Sequence, residues 1–101
     1  MLDNSFFNHH PLMLVVTNAR GSILECSPWA EQQLNLHKKT LMQEYFYEED
    51  AVRVVRILQS CDPIVRETFR LEVREGVIRH VRCTVLLDGE VLTWSFEDIH
   101  E

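Results

Sequence analysis

Cysteine and histidine are the residues of this chain that could act as nucleophiles, bases or metal ligands, and most of them are far apart in the sequence. The three cysteines, Cys26, Cys61 and Cys83, form no CxxC pair. An odd set of widely spaced thiols predicts neither a disulfide framework nor one of the common zinc sites. His9 and His10 are neighbours in the chain, and adjacent side chains rarely point at the same ion. The pattern therefore predicts no metal site, and thiols that stay reduced.

A nucleophilic enzyme site needs a thiol or hydroxyl beside a histidine and a carboxylate. Cys83 and His80 have opposite parity, so on a strand their side chains face opposite ways. The acidic run Glu48, Glu49 and Asp50 fits the first turn of a helix better than a pair of catalytic carboxylates. We therefore predict that this chain is not itself an enzyme, and a small enzyme is the alternative from a different class.

The net charge is −6, from 16 acidic and 10 basic residues in a chain of 101. Nucleic-acid binding needs a basic surface, so this balance argues against it. Five arginines in the C-terminal half alternate with apolar and acidic residues, which predicts the solvated face of a sheet. They are Arg66, Arg70, Arg74, Arg79 and Arg82. The longest apolar run, residues 12–16, is too short to cross a bilayer, and no secretory signal is visible, so we predict a cytoplasmic location.

Two short strands are predicted near the start of the chain. Residues 12–17 form a run that is apolar on both faces of a strand, which is typical of a strand buried on both sides. Residues 18–21 carry turn chemistry, with Gly21 free to take positive φ, and residues 22–26 resume as a strand. A connection this short predicts that the two strands are antiparallel.

Two helices are predicted after these strands. The first spans residues 28–34, because Ser27 can cap its start and Asn35 can take the left-handed conformation that ends it. The second begins at Glu48 and is stopped by Asp62-Pro63. Its apolar face has helical spacing. That predicted face consists of Ala51, Val54, Val55 and Leu58.

The hydrophobic period changes to two in the last third of the chain. It predicts three strands that include residues 69–74, 80–85 and 91–97, joined by turns at Glu75-Gly76 and Asp88-Gly89. The resulting order is strand, strand, helices, then a meander of three strands. We therefore predict an α+β fold with a five-stranded antiparallel sheet and helices on one face.

Three short motifs follow one another in the first third of the chain: Gly21-Ser22-Ile23, then Ser27-Pro28-Trp29-Ala30, then Leu34-Asn35. Their sequence and spacing resemble, without a gap, the G-x-I and N-P-x-A-x-x-x-L-G patterns of the PAS family of sensor domains. Ser27 stands where the family usually has Asn, and Asn35 stands where it usually has Gly, but both replacements keep the capping and turn chemistry.

The resemblance continues to the end of the chain. Glu48-Glu49-Asp50 ahead of Val54 is similar to the acidic helix start of PAS domains, and residues 72–81, with Gly76 at the turn, are similar to their long hairpin. Asp98-Ile99-His100 resembles the D-I-T sequence that often ends the domain. Each motif is weak by itself, and their order across nearly the whole chain carries the assignment.

The resemblance implies an organisation and a role. Residues 1–11 would form an N-terminal cap and residues 12–101 a single PAS domain. Such a domain senses a small ligand or a partner and passes a population shift to an attached output domain, such as a histidine kinase of a two-component system, a cyclic-dinucleotide enzyme or a transcription regulator. Asp98 and Ile99 would couple to that output. The alternative within the family is a ligand-free module for dimerisation or docking.

The resemblance also implies a partner for the outer face of the sheet. The first and last strands leave apolar residues there, which something must cover. We expect a homodimer with Phe6, Phe7, Leu12 and Leu14 near the contact. The alternative is a monomer in which the N-terminal segment covers its own sheet.

A small-molecule pocket of PAS type would lie between the sheet and the helices. Its predicted lining is Leu34, Tyr45, Phe46, Val54, Val55, Leu58, Val81, Cys83 and Val85. The alternative is that these residues only fill the core.

The resemblance limits the choice of cofactor. Residues 38–47, predicted as a loop with a turn or two of helix, lack the cysteine of the photoactive flavin relatives, and residues 48–59 lack the histidine of the haem relatives. Both covalent flavin and haem are therefore not expected. A non-covalent flavin stays open, because Trp29, Trp94 or Tyr45 can stack on a flat ring, although a structural role for both tryptophans is the simpler interpretation.

Overall fold

The computed structural model describes residues 13–60 and 64–99. In chain order the elements are strands β1 (Met13–Asn18) and β2 (Ile23–Cys26), helix α1 (Pro28–Leu34), one 3₁₀ turn (Met42–Tyr45), helix α2 (Glu48–Gln59), and strands β3 (Ile64–Arg74), β4 (Val77–Asp88) and β5 (Val91–Asp98). This order confirms the one predicted from the sequence. The predicted N-terminal cap, the helix stop at Asp62-Pro63 and the residues Phe6, Phe7, Leu12 and Cys61 lie outside the described residues.

All five strands join one sheet in the order β2-β1-β5-β4-β3, and every neighbouring pair is antiparallel. Across the middle of the sheet, Val15 pairs with Trp94 and Trp94 pairs with Val85, and all three side chains are buried. Their neighbours along each strand point to the opposite, outer face, where Ile64 and Leu86 are paired and exposed. The predicted α+β fold, with the helices on one face, is confirmed.

Helix α1 has the predicted bounds because both of its ends carry the expected caps. The Ala30 backbone N–H donates to Ser27 Oγ at 3.3 Å, and Asn35 takes the left-handed conformation at φ 58° and ψ 35°. The Asn35 side chain then donates from Nδ2 to the Val73 carbonyl at 3.0 Å. One residue therefore both ends the helix and attaches it to β3.

Helix α2 is rotated relative to the predicted apolar face. Its buried residues are Asp50, Val54 and Ile57, whereas Val55 is 39% exposed. The prediction of Val55 on the inner face is wrong. The rotation follows from Asp50, whose carboxylate is hydrogen-bonded to β3 and therefore has to face the sheet.

The turn between β1 and β2 depends on Gly21, which has φ +90°. The side chain of Gln43 lies over this turn and donates from Nε2 to the Arg20 carbonyl at 3.1 Å. A Cβ at position 21 would stand 2.0 Å from Gln43 Oε1 and 3.1 Å from Leu58 Cδ1. The left-handed backbone favours glycine at this position, and a Cβ would in addition have to displace the ends of the Gln43 and Leu58 side chains.

We predict that Gly21→Ala lowers the free energy of unfolding by about 2–4 kcal/mol, from positive φ and steric overlap together. Gly76→Ala and Gly89→Ala are matched controls, since both glycines have positive φ but a Cβ added at either would meet no atom within 4 Å. Each control should cost only about 1–2 kcal/mol. Urea unfolding measures all three, and an equal loss in the three variants would contradict the steric account.

Candidate functional site

The predicted pocket residues lie together in the core between the sheet and the helices. Six of them are buried, and two more pack against these from the edge of the core. The buried six are Leu34, Phe46, Val54, Val81, Cys83 and Val85, and the partly buried two are Tyr45 and Leu58. Val55 is the one residue of the predicted lining that the structure does not bring to this cluster.

The centre of this core is aromatic. Trp94 is fully buried, with its ring centroid 6.3 Å from that of Phe46, and Phe46 meets Phe69 edge to face at 5.2 Å. The indole Nε1–H of Trp94 donates to Thr17 Oγ1 at 2.9 Å, so the one polar atom of the ring is satisfied inside the core. Around the tryptophan the interior is therefore dense, apolar and hydrogen-bonded.

Three of the grooves at the surface of the described residues have no predicted pocket residue in their lining. A groove of about 470 Å³ lies beside Met13, Trp29 and Phe96. A second, of about 480 Å³, separates the end of α1 from the β3–β4 turn, and a third, of about 160 Å³, separates α2 from β3. In this conformation the candidate residues pack against one another in the core, and these three grooves lie outside the candidate set.

The three aromatic residues considered for a flavin have different surroundings. Trp94 is enclosed in the core, whereas Trp29 is 39% exposed beside the groove next to Met13. The Tyr45 hydroxyl is hydrogen-bonded to Thr40 Oγ1 at 2.7 Å.

The two described thiols are held in their neutral form. Burial, aided by Glu31, raises the pKa of Cys26 to about 12, and burial raises the pKa of Cys83 further, with Glu67 adding to the effect. Cys83 is buried on the inner face, and His80 is exposed on the outer face, as their parity predicts. Among residues 13–60 and 64–99, no group of three or more His, Cys, Asp or Glu side chains is arranged to hold a metal ion.

The strongest polar feature of the inner side is the Asp50 carboxylate, which is buried at the start of α2. Asp50 Oδ2 accepts from the Arg70 backbone N–H at 2.7 Å and from Arg70 Nε at 3.1 Å, and Oδ1 accepts from Arg70 Nη2 at 3.0 Å. Burial by itself would raise the pKa of Asp50, but the hydrogen bonds and charge of Arg70, with a hydrogen bond from Arg53, outweigh it and lower the pKa. The carboxylate is therefore charged, and both of its oxygens accept hydrogen bonds from Arg70.

Arg53 adds a second contact between α2 and the same strand. Its Nη2 donates to the Thr68 carbonyl at 2.8 Å, and its Nη1 lies 3.3 Å from Glu67 Oε1. Its guanidinium stands 4.5 Å from the centre of the Phe69 ring, and that of Arg70 stands 4.5 Å from the centre of the Tyr47 ring. We refer to the contacts of Asp50 and Arg53 with β3 as the α2 latch.

The sequence analysis missed the α2 latch because it assigned the acidic run only to the helix start. A usable signal was present: residues 50, 54 and 57 have the spacing of one helix face, and two of them are apolar. An aspartate on an otherwise apolar stripe indicates a buried carboxylate that needs a cationic partner.

The arginines of the last three strands are not all on a solvated face. Arg70 belongs to the α2 latch, and Arg79 forms an ion pair with Asp98 near the end of β5. The prediction is corrected for these two residues. The Ile99 N–H donates to the His80 carbonyl at 3.0 Å, so both proposed coupling residues, Asp98 and Ile99, are attached to β4.

Comparisons with solved structures identify the fold. The PAS domain of an HTR-like protein from Haloarcula marismortui has a TM-score of 0.79 and 25% sequence identity, over 94% of this chain and 87% of that one. A domain of a sensory box histidine kinase/response regulator from Geobacter sulfurreducens has a TM-score of 0.80 at 15% identity, over 93% and 89%. The PAS domain of the RpfR quorum-sensing receptor from Cronobacter turicensis, in complex with BDSF, has a TM-score of 0.78 at 14% identity, over 92% and 98%.

The chain is a PAS domain in its fold, in agreement with the resemblance seen in its motifs. The structures it matches include domains of a quorum-sensing receptor and of a sensory box histidine kinase/response regulator. No model of a known protein family matches the sequence, and no curated protein matches it significantly. None of the helices in the described part of the chain is long and apolar enough to span a membrane.

We predict that, in the Asp50→Asn variant, the free energy of unfolding falls less steeply than in wild type as the pH is lowered towards the acid range. A carboxylate with a lowered folded-state pKa stabilises the fold above its unfolded value, about 4, and this contribution disappears as the pH falls through the folded pKa. The stability difference between wild type and variant should therefore be largest near neutral pH, about 2–4 kcal/mol, and shrink below about pH 4. Glu49→Gln is the control: Glu49 also lies 3.4 Å from Arg70 Nη2, but its side chain is 75% exposed, so this surface pair should contribute at most about 1 kcal/mol. The free energy of unfolding is measured by urea unfolding at each pH. Curves of this free energy against pH that run parallel for Asp50→Asn and wild type would contradict this role.

Proposed function

We propose that the chain is a sensory PAS domain that binds a small ligand or a partner and relays the event to an attached output domain. The observation that carries this proposal is the PAS sheet with an apolar interior enclosed under its helices. Among similar structures, the Cronobacter turicensis domain was solved in complex with BDSF and with C12:0. A histidine kinase, a cyclic-dinucleotide enzyme and a transcription regulator are the output classes that we consider, and two-component signalling is one such setting.

The proposed ligand site is the interior itself, and its chemistry favours a small, largely apolar molecule. Val54, Val81 and Val85 offer no polar atom, and the Cys83 thiol is neutral. Because these side chains pack against one another, a ligand would have to stabilise a more open arrangement of the core. A flat ring such as a non-covalent flavin would need the same opening, and it would be visible by its absorption.

We predict that a small molecule copurifies with the chain at a fixed ratio and is displaced by filling the interior. Val54→Phe places a ring in the core, whereas Val55→Phe places the same ring on the exposed side of the same helix. Native mass spectrometry and an absorption spectrum of fresh protein should show the ligand in wild type and Val55→Phe and much less of it in Val54→Phe. A bare wild-type chain, or equal loss in both variants, would contradict a ligand in the core.

A second function, dimerisation through the outer face of the sheet, is favoured by a different observation. Ile64 and Leu86 are cross-strand partners that are 63% and 45% exposed, and Val91 is 37% exposed nearby. Leu14 on β1 has the parity of the same outer face, but its side chain is already buried, at 9% exposure. We propose that a second copy of the chain covers this face, with Phe6, Phe7 and Leu12 near the contact. Cover by the chain's own residues 1–11 is the competing arrangement.

We predict that Leu86→Lys converts a dimer to a monomer, because the lysine would be buried without a partner in the interface. Val52→Lys is the matched control, since Val52 is 63% exposed but lies on α2, away from the outer face. Light scattering coupled to size-exclusion chromatography should give the dimer mass for wild type and the control and the monomer mass for Leu86→Lys. A monomeric wild type would favour the self-covered arrangement.

We propose that Asp98 and Ile99 transmit the signal from the sheet to the output domain. The Arg79–Asp98 ion pair and the Ile99–His80 hydrogen bond join the end of β5 to β4. A shift of β4 relative to β5 would therefore reach the C-terminal residues directly.

A further inference from the structure

The edge of β3 that faces away from β4 is bound along only part of its length. In an antiparallel edge strand, alternate residues direct both their N–H and their carbonyl away from the sheet. The N–H and carbonyl of Arg70 and the carbonyl of Thr68 point away in this sense, because all three are hydrogen-bonded to Tyr47 or to helix α2. By the same alternation, the N–H and carbonyl of Ile64 and Arg66 also point away from β4.

The stretch of this edge nearest the start of β3 is unpaired. No hydrogen bond from the described residues reaches the outward backbone groups of Ile64 and Arg66 or the N–H of Thr68. All three residues are exposed. We refer to residues 64–68 as the open edge of β3. An exposed strand edge of this kind is a template to which another extended chain can add a strand.

A groove of about 160 Å³ lies beside the open edge, on the side of the sheet that α2 covers. Its apolar lining is Ile57 and Val65, and its polar lining includes Arg53 and Glu67, which form an ion pair with each other. A side chain placed opposite Val65 by an added strand would share the face of Val65 and point towards this groove. The groove therefore offers a place for one of the alternate side chains of such a strand.

The open edge has an arginine without an acidic partner on each of its two sides, although the net charge of the chain is −6. Arg66 has the parity of the outer face and donates from Nε to Thr84 Oγ1 at 3.3 Å, and Arg56 lines the groove on the other side. Neither arginine forms an ion pair within the described part of the chain. Acidic side chains would therefore be attracted to this edge, and basic ones repelled.

A second copy of the chain is less suited to the open edge than an acidic segment is. If two open edges paired antiparallel about their centre, the Arg66 side chain of one chain would lie directly opposite that of the other. Like charges in this position destabilise a pair of strands, whereas opposite charges stabilise it. The charge at the edge thus favours a partner of different sequence.

We propose that the open edge of β3 is a docking site for an extended, acidic segment of a partner protein, which adds to the sheet as a further strand. The backbone of the segment pairs with Ile64 and Arg66. An acidic side chain lies opposite Arg66 on the outer face, and the apolar side chains next to it point into the groove, towards Val65 and Ile57. The site lies in the plane of the sheet, so it depends neither on a ligand in the core nor on the outer-face dimer proposed above.

A blocked peptide of alternating residues, Glu-Val-Glu-Val-Glu-Val-Glu, tests this site on the full chain, and the same peptide with lysine for glutamate is the control. Amide hydrogen exchange is followed residue by residue by NMR. In the free chain, the amides of Arg66 and Thr68 should exchange at least about tenfold faster than those of Val65 and Glu67, which point towards β4.

The acidic peptide should protect the outward amides selectively. At about ten times its dissociation constant, it should slow the exchange of Arg66 and Thr68 about tenfold, because only the free edge exchanges at these positions. The lysine peptide at the same concentration should leave both amides unchanged.

Two substitutions separate the backbone of the edge from its charge. Arg66→Pro removes an outward N–H, which an edge strand tolerates, and should abolish the protection of Thr68 by the peptide. Arg66→Glu should reverse the preference, so that the lysine peptide binds about threefold or more tightly than the acidic one. Arg74→Glu is the matched control, because Arg74 is an exposed arginine of the same strand outside the open edge, and it should keep the wild-type preference.

Several results would overturn the proposal. Neither peptide protects Arg66 and Thr68, or both protect them equally, or Arg66→Glu keeps the wild-type preference. Protection of these amides in the dilute chain without peptide would mean that the chain covers its own edge. Protection that grows with protein concentration would mean that a second copy binds there. If Arg66→Pro does not fold, the peptide comparison in wild type, Arg66→Glu and Arg74→Glu still decides.

Discussion

Unpaired backbone N–H and C=O groups line the two free edges of an open five-stranded sheet, and the segment between β2 and β3 binds part of each edge. At the β2 edge, the Ile23 N–H donates to the Thr40 carbonyl at 2.8 Å, and the Lys39 N–H donates to the Ile23 carbonyl at 2.9 Å. At the β3 edge, Phe46 forms a bridge with Leu71, and Asp50 accepts from Arg70. Because one connection serves both edges, it has to cross the whole inner face of the sheet.

This crossing determines which surfaces remain for function. The inner face is covered by the crossing segment and becomes the core, so anything that binds there must displace or deform what already packs around Trp94. The outer face is not crossed by any described element, and its apolar pair Ile64 and Leu86 stays exposed. The parts of the two edges that are bound in this way are unavailable for strand-to-strand association. The division into an enclosed side and a free side thus follows from how the edges are closed.

The elements with local signals can be predicted from the sequence. The bounds of helix α1 are predicted correctly because Ser27 and Asn35 determine its ends through contacts within a few residues, and the late strands are found because their period is two. The rotation of α2 cannot be predicted in the same way. It depends on the pairing of Asp50 with Arg70, which is 20 residues away in the sequence, and a periodicity argument assigns a charged side chain to the solvent. The same argument puts Val55 inside. The candidate pocket shares this limit, because a set of apolar residues does not say whether they line a space or fill it.

The type of interaction at position 50 also argues for a positional role. Well-packed apolar groups often replace a buried ion pair at no cost in stability, so a salt bridge alone would not explain a carboxylate at this place. An apolar side chain, however, cannot accept the Arg70 backbone N–H, and an unsatisfied buried donor costs about 1–3 kcal/mol. Asp50 accepts that N–H at 2.7 Å and binds the guanidinium of the same residue, so it aligns the helix with one particular strand position. Packing of Val54 and Ile57 would hold α2 against the sheet in several registers, whereas the carboxylate selects one of them.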